Sequence, residues 1–277
     1  MKRAAILTAV LALAATCLAQ DKKPDAKKDA PAAAAPATTG VHPPQAKTQP
    51  EFDAYKVAVA NTEGAGLEKA SDDFALKFPE SELRILLYLQ AMRTYQSSNN
   101  ADKMADMGRK ILTMDADHPE ALIDVAQALA ERTRETDLDK DQKYAEGQKL
   151  VEKALQTIDT DVTVQATTPT DKLDQVKAFL RSTAYSILGT IYFNKDTKEN
   201  YAKAEENLRK SIDAMPAQPD PVSVLRLSIA MDKQGKYTDA LAEATKAVGM
   251  TQESTTVGGM ARREQDRLQK LTANSIK

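Results

Sequence analysis

Tyr185-x-x-Leu188-Gly189-x-x-Tyr192, then Tyr201-x-x-Ala204-x-x-x-Leu208-x-x-Ser211, then Pro216, make one unit of the chain. Val224-x-x-Leu227-Ser228-x-x-Met231, then Gly235-x-Tyr237-x-x-Ala240-x-x-x-Ala244-x-x-Ala247, make the next. The two match in order, spacing and residue type. Bulky residues recur at three- and four-residue intervals, which puts them on one face of a helix. Small residues recur where two helices cross: Gly189 and Ala204 leave no side chain standing between the helices of a pair. Leu188, Tyr192 and Leu208 fill the space around that contact, and Pro216 stops the second helix. A single helix pair cannot bury its apolar face, whereas stacked pairs bury a continuous core.

Two upstream stretches carry looser versions of the unit. Leu122-x-x-Val125-Ala126-x-x-Leu129 goes with Tyr144-x-x-Gly147-x-x-x-Val151-x-x-Ala154, across polar residues around Arg132 to Asp141. Tyr88-x-x-Ala91-x-x-x-Tyr95 goes with Met104-x-x-x-Gly108-x-x-Ile111. Residues 51 to 79 read as a degenerate first unit with Ala70-x-x-x-Phe74. The packing positions are therefore Ala91, Ala126, Gly147, Leu188, Gly189, Tyr192, Ala204, Leu208, Pro216, Tyr237, Ala240 and Ala247. Helix starts are predicted at Thr48-Gln49-Pro50-Glu51, at Thr168-Pro169-Thr170-Asp171 and at Asp220-Pro221, each joining a capping side chain to an early proline. Pro79, Pro119 and Pro216 mark breaks. Residues 158 to 182 are extra to the unit and predict a loop followed by an extension of a long helix. Residues 257 to 275 read as a charged terminal helix covering the last open face.

The N-terminus has a different character. Lys2 and Arg3 precede an apolar run from Ala4 to Ala15, and small residues at Cys17 and Ala19 follow, which is the layout of a secretory signal peptide over residues 1–19. Cys17 is the chain's single cysteine. It offers an alternative as a lipidation site, although Thr16 fits poorly beside it. Its loss with the signal would leave no disulfide and no cysteine-based metal site. Residues 20–49 hold Pro24, Pro31, Pro36, Pro43 and Pro44 among alanines and lysines, and predict a disordered linker acting as a tether. Residues 50–277 are the folded domain.

Composition narrows the function. There are 38 basic and 40 acidic residues, and removing Lys2 and Arg3 leaves 36 against 40. A mature net charge of −4 is not that of a nucleic-acid binder. No later segment is apolar enough for a transmembrane helix. The two histidines are His42, in the linker, and His118, in a turn before Pro119. No zinc ligand set, nucleophile-and-base arrangement or phosphate loop can be assembled. Asp137-Leu138-Asp139-Lys140-Asp141 lacks the glycine and distal glutamate of a calcium loop. The expectation is no catalysis, no cofactor and no metal.

The repeated unit resembles the tetratricopeptide repeat family, whose 34-residue motif runs W-x2-L-G-x2-Y, A-x3-F and a late proline. Tyr88 and Leu122 stand one such period apart. The ending Lys77-Phe78-Pro79-Glu80-Ser81 is similar to that of exported bacterial members, including outer-membrane assembly lipoproteins. The chain departs from the motif in having no tryptophan and one late proline in place, Pro216. The resemblance implies an all-α, right-handed superhelix of four to five helix pairs with a C-terminal capping helix. It also implies a concave wall, lined by the first helix of each pair, that receives a protein or peptide. On that wall we place Arg93, Gln96, Gln127, Glu131, Thr190, Phe193, Asp232 and Lys233, with Phe193 as an exposed aromatic. The family's carboxylate-clamping Lys and Asn pairs are not matched. The function expected is an exported, periplasmic scaffold or adaptor. The alternative is a structural component of outer-membrane or cell-wall assembly, anchored through Cys17 or secreted.

Overall fold

The computed structural model describes residues 44–162 and 168–274. The proposed signal peptide, Cys17, His42, most of the linker and residues 163–167 lie outside them. Among the described residues there are eleven helices and no strand. They form five consecutive pairs: α1 (Gln49–Val59) with α2 (Gly64–Lys77), α3 (Leu83–Ser97) with α4 (Ala101–Leu112), α5 (Pro119–Arg132) with α6 (Lys140–Asp161), α7 (Thr170–Asn194) with α8 (Lys198–Ala214), and α9 (Pro221–Lys233) with α10 (Tyr237–Gly249). A single helix, α11 (Thr256–Asn274), follows. Each second helix packs on its own first helix and on the first helix of the next pair. First helices also touch one another, α5 against α7 and α7 against α9. This is an αα-solenoid, with the first helices forming one wall.

Local chemistry sets the starts. At α1, the Thr48 hydroxyl accepts from Glu51 N at 3.3 Å while the Glu51 carboxylate accepts from Thr48 N at 3.2 Å. Asp220 caps α9 by accepting from Ser223 N at 3.2 Å. His118 does more than turn the chain: its Nδ1 accepts from Ala121 N at 3.3 Å, capping α5 with Pro119 in the first turn. The expected Thr168 cap is not made. Pro169 occupies the capping position of α7 and no side chain bonds there. The fold's contacts also start before residue 50, since Gln45 N donates to Glu82 and Lys47 Nζ donates to the Glu80 carbonyl at 3.0 Å.

The small residues sit at crossings. A Cβ on Gly189 would stand 2.6 Å from Leu208 Cγ and 3.4 Å from the Ala204 carbonyl. One on Gly147 would stand 3.1 Å from Ile191 Cδ1, and one on Gly108 would stand 2.7 Å from Val125 Cγ2. Ala91, Ala126, Ala204, Leu208, Ala240 and Ala247 are fully buried, and Leu188 nearly so. Tyr192 is half-buried. Pro216 follows the end of α8 and is exposed. Tyr237, expected as a packing residue, opens α10 and is 40% exposed.

Three of the turns within pairs are built alike. Asn99, Asp196 and Gly235 each have a positive φ (58°, 47° and 81°) one or two residues before the second helix. At Gly235 this conformation lets Lys236 N reach the Met231 carbonyl at 3.0 Å and Gly235 N reach Asp232 at 2.8 Å, satisfying the last carbonyls of α9. The third pair departs from this turn. Residues 133–139 form a longer connection with Leu138 fully exposed, and Lys143 bridges Asp137 and Asp139 at its base. The extra length expected over 158–182 is mostly helix, since α6 runs to Asp161 and α7 begins at Thr170.

Candidate partner-binding face

The eight residues placed on the first-helix wall separate into two groups. Four are used inside the fold. Arg93 on α3 makes a two-pronged ion pair with Glu120 on α5, both contacts 2.6 Å, with 24% and 17% of the side chains exposed. Burial alone would lower the Arg93 pKa, but the Glu120 carboxylate beside it more than compensates. Phe193 is not an exposed aromatic: its ring stands edge-on to Tyr201 at 5.5 Å and packs on the C-terminal core. Asp232 is covered by α11, whose Arg267 pairs with it at 2.5 Å and leaves 11% of its side chain exposed. Thr190 is buried at 4% exposure, its hydroxyl donating to the Ser186 carbonyl at 2.8 Å.

The other four reach solvent. Gln127 donates to Glu131 at 3.0 Å, one turn along α5, and fixes that carboxylate on the wall. Glu131 and Lys233 are exposed, with Lys233 Nζ 6.0 Å from the Tyr201 ring centre. Gln96 donates to Asp124 Oδ1 at a long 3.4 Å.

Asp124 and Arg226 are the residues that sequence reasoning missed. Asp124 lies on α5 between Glu120 and Glu131, is 4% exposed, and its Oδ2 has no hydrogen-bond partner among the described residues. Burial and the Glu120 charge push its pKa well above the usual aspartate range, against the pull of Arg93. Arg226 lies on α9. Its Nη1 donates to the Thr190 hydroxyl at 2.9 Å, and among the described residues no carboxylate stands within ion-pair distance. Burial lowers its pKa, and the Asp220 and Glu131 charges act in the opposite direction. A signal for Arg226 was present: it is the one charged residue between Asp220 and Asp232.

The wall is therefore unevenly neutralised. Between α3 and α5 Arg93 has its acid and a second acid, Asp124, is left over. Between α7 and α9 the Arg226 guanidinium has a hydroxyl for a partner. At the end of α5 an open polar pocket is lined by Asp102, Glu131, Arg132, Arg134, Asp137 and Lys143. Most of its charges are matched internally, Arg132 to Asp102 at 3.0 Å and Lys143 to Asp137 at 3.1 Å. Among the described residues no group of three or more His, Cys, Asp or Glu is placed to hold a metal ion. None of their helices is long and apolar enough to cross a membrane.

Comparison with solved structures finds matches at low identity. The crystal structure of MamA protein matches at 16% identity over 72% of this chain and 88% of that one, with a TM-score of 0.48. TTC0263, a thermophilic TPR protein in Thermus thermophilus, matches at 13% identity over 77% and 98%, with a TM-score of 0.43. Acl4, the assembly chaperone of RpL4 (residues 1–338), matches at 12% identity over 82% and 99%, with a TM-score of 0.41. No protein-family model matches the chain, and no curated protein does.

Proposed function

We propose that this chain is an exported scaffold or adaptor that binds a protein partner along its first-helix wall and performs no chemistry of its own. Residues 1–19 direct export and residues 20 to the mid-forties tether the solenoid within the cell envelope, as the layout of Lys2, Arg3 and the Ala4–Ala15 run and the five linker prolines support. The observation that carries the binding reading is the wall itself. It presents Glu131 on α5 and Arg226 on α9 without ion-pair partners among the described residues, on helices whose other polar groups are largely matched inside the fold. Unpaired charge on a rigid, helix-built surface is available to a partner and costs little reorganisation on binding.

The test is photo-crosslinking from single positions of the full chain in its native envelope. A crosslinking side chain at Gln127, on the wall, is expected to capture a defined protein. One at Gln148, on the outer helix α6, is expected to capture none. Capture from Gln148 and not from Gln127 would overturn the assignment of the wall. The same experiment reads localisation: a chain retained in the cytoplasm with its first nineteen residues intact would overturn export.

A further inference from the structure

Glu131 and Arg226 project from first helices two pairs apart, with α7 between them. Each is held by a neighbour and neither by the other. Gln127 fixes the Glu131 carboxylate at 3.0 Å, and Thr190, on the intervening helix, fixes Arg226 Nη1 at 2.9 Å. The carboxylate is near enough to bear on the guanidinium's protonation, yet the two do not meet as an ion pair. At the α3–α5 junction, by contrast, the charges are closed on each other, where Arg93 and Glu120 meet at 2.6 Å. The geometry points to an open ion pair that straddles α7 and is completed by a partner segment carrying one acidic and one basic side chain on the same face, the acid on Arg226 and the base on Glu131. This deepens the reading of the wall as the partner's seat and rests on it.

Complementarity decides the chemistry of the occupant. An apolar segment would bury a half-hidden guanidinium without giving it an acceptor, and burying an unpaired charge is unfavourable by several kcal/mol. A purely acidic segment would satisfy Arg226 and oppose Glu131. A purely basic one would do the reverse. A segment with both signs satisfies each group once, and a guanidinium takes a carboxylate through two parallel hydrogen bonds. Side chains that share a face are two residues apart in an extended segment and three or four apart in a helix. The spacing in the partner therefore reports its conformation.

A random 12-residue peptide library displayed on phage, panned on the full chain, tests this directly. The expected consensus holds an acid and a base two, or three to four, residues apart. The enriched peptide should bind Arg226→Gln and Arg226→Glu at least tenfold more weakly, with unchanged thermal unfolding. In the Glu131→Arg/Arg226→Glu double variant, binding should return for the peptide with its two charges exchanged. A consensus with charges of one sign, an apolar consensus, or a mixed-charge consensus that binds both Arg226 variants normally would each overturn the proposal. An apolar consensus abolished by Gln127→Arg would still leave the wall as the binding face, so the two readings fail separately. Recovery of no binder at all would overturn this inference while the crosslinking from Gln127 decides the other.

Discussion

The second and fifth helix pairs solve the same packing problem with opposite materials. In the fifth pair Ala240, Ala244 and Ala247 of α10 are fully buried against α9, and the Ser228 hydroxyl donates directly to the Ala240 carbonyl at 2.7 Å. The backbones approach so closely that register follows from shape. In the second pair the interface is filled by Met92, Met104, Met107, Tyr88 and Tyr95. Methionine fills space without specifying geometry. Register there is set at the rim, by two copies of one polar device. Tyr88 donates to Asp72 at 2.8 Å and Lys110 joins it at 2.6 Å, while Tyr95 donates to Glu68 at 2.5 Å and Lys103 joins it at 2.9 Å. Each device ties α2, α3 and α4 together. Close crossings need no cross-links, and loose ones recruit them.

The sharpest break of this contrast is volume. Met107→Ala in α4 removes buried atoms from a side chain with no exposure and is expected to cost about 2–5 kcal/mol. Ala244→Leu in α10 adds atoms where the backbones meet and is expected to cost about 1–3 kcal/mol. The reverse kinds of change, Met107→Leu and Ala244→Gly, should each cost less. Urea unfolding of the four variants checks the ordering. A tolerated Ala244→Leu would show that the fifth pair is not held by close approach.

A smaller effect separates the two pairs by pH. Glu68 is pulled up by burial, but the Tyr95 hydroxyl and the Lys103 ammonium outweigh this and hold its pKa below the usual carboxylate range. A folded-state pKa below the unfolded one gives stability that is present above about pH 4.3 and lost as pH falls through the folded value. Glu68→Gln is therefore expected to cost about 1 kcal/mol at pH 7 and progressively less as pH falls below about 4.3. In the alanine-packed fifth pair the crossing is made by Ala240, Ala244 and the uncharged Ser228, so Ala244 variants should show a cost independent of pH. Thermal unfolding at pH 3, 5 and 7 distinguishes them. An equal cost for Glu68→Gln at all three would mean that the rim device contributes no charge.

The crossings were legible in the sequence because small residues at fixed spacing are a local signal: Gly189, Ala204 and Ala240 each stand where one helix must meet another. The wall was less legible because its chemistry is made between helices. Arg93 and Glu120 are 27 residues apart, and nothing in either helix says that the solenoid brings them within 2.6 Å. Asp232 was expected on an open wall although α11 could be foreseen as a cap, because the direction in which Arg267 reaches back from it could not. Thr190, placed on the wall from its spacing, is buried, and Arg226 is the more accessible half of that contact. Spacing shows which face a residue occupies, while the partner across the junction depends on the rise and turn of the stack.

Asp124 gives the opposite sign to Glu68. It faces Arg93 and Gln96 from α3, and Glu120 and Glu131 from its own helix. Arg93 is already committed to Glu120, so the ionised form of Asp124 has no partner for Oδ2. Its folded pKa is raised above the unfolded one, so the folded chain binds this proton more tightly. The stability that it brings is present at acid pH and is lost as pH rises from about 3.9 toward the folded value. Asp124→Asn keeps the shape and has no charge to bury. It is expected to match the parent near pH 4 and to exceed it at pH 8, read as a rise in unfolding temperature. A loss of stability at pH 8 would show that the carboxylate is ionised and used within the fold, and the α3–α5 junction would then be closed with no acid left over.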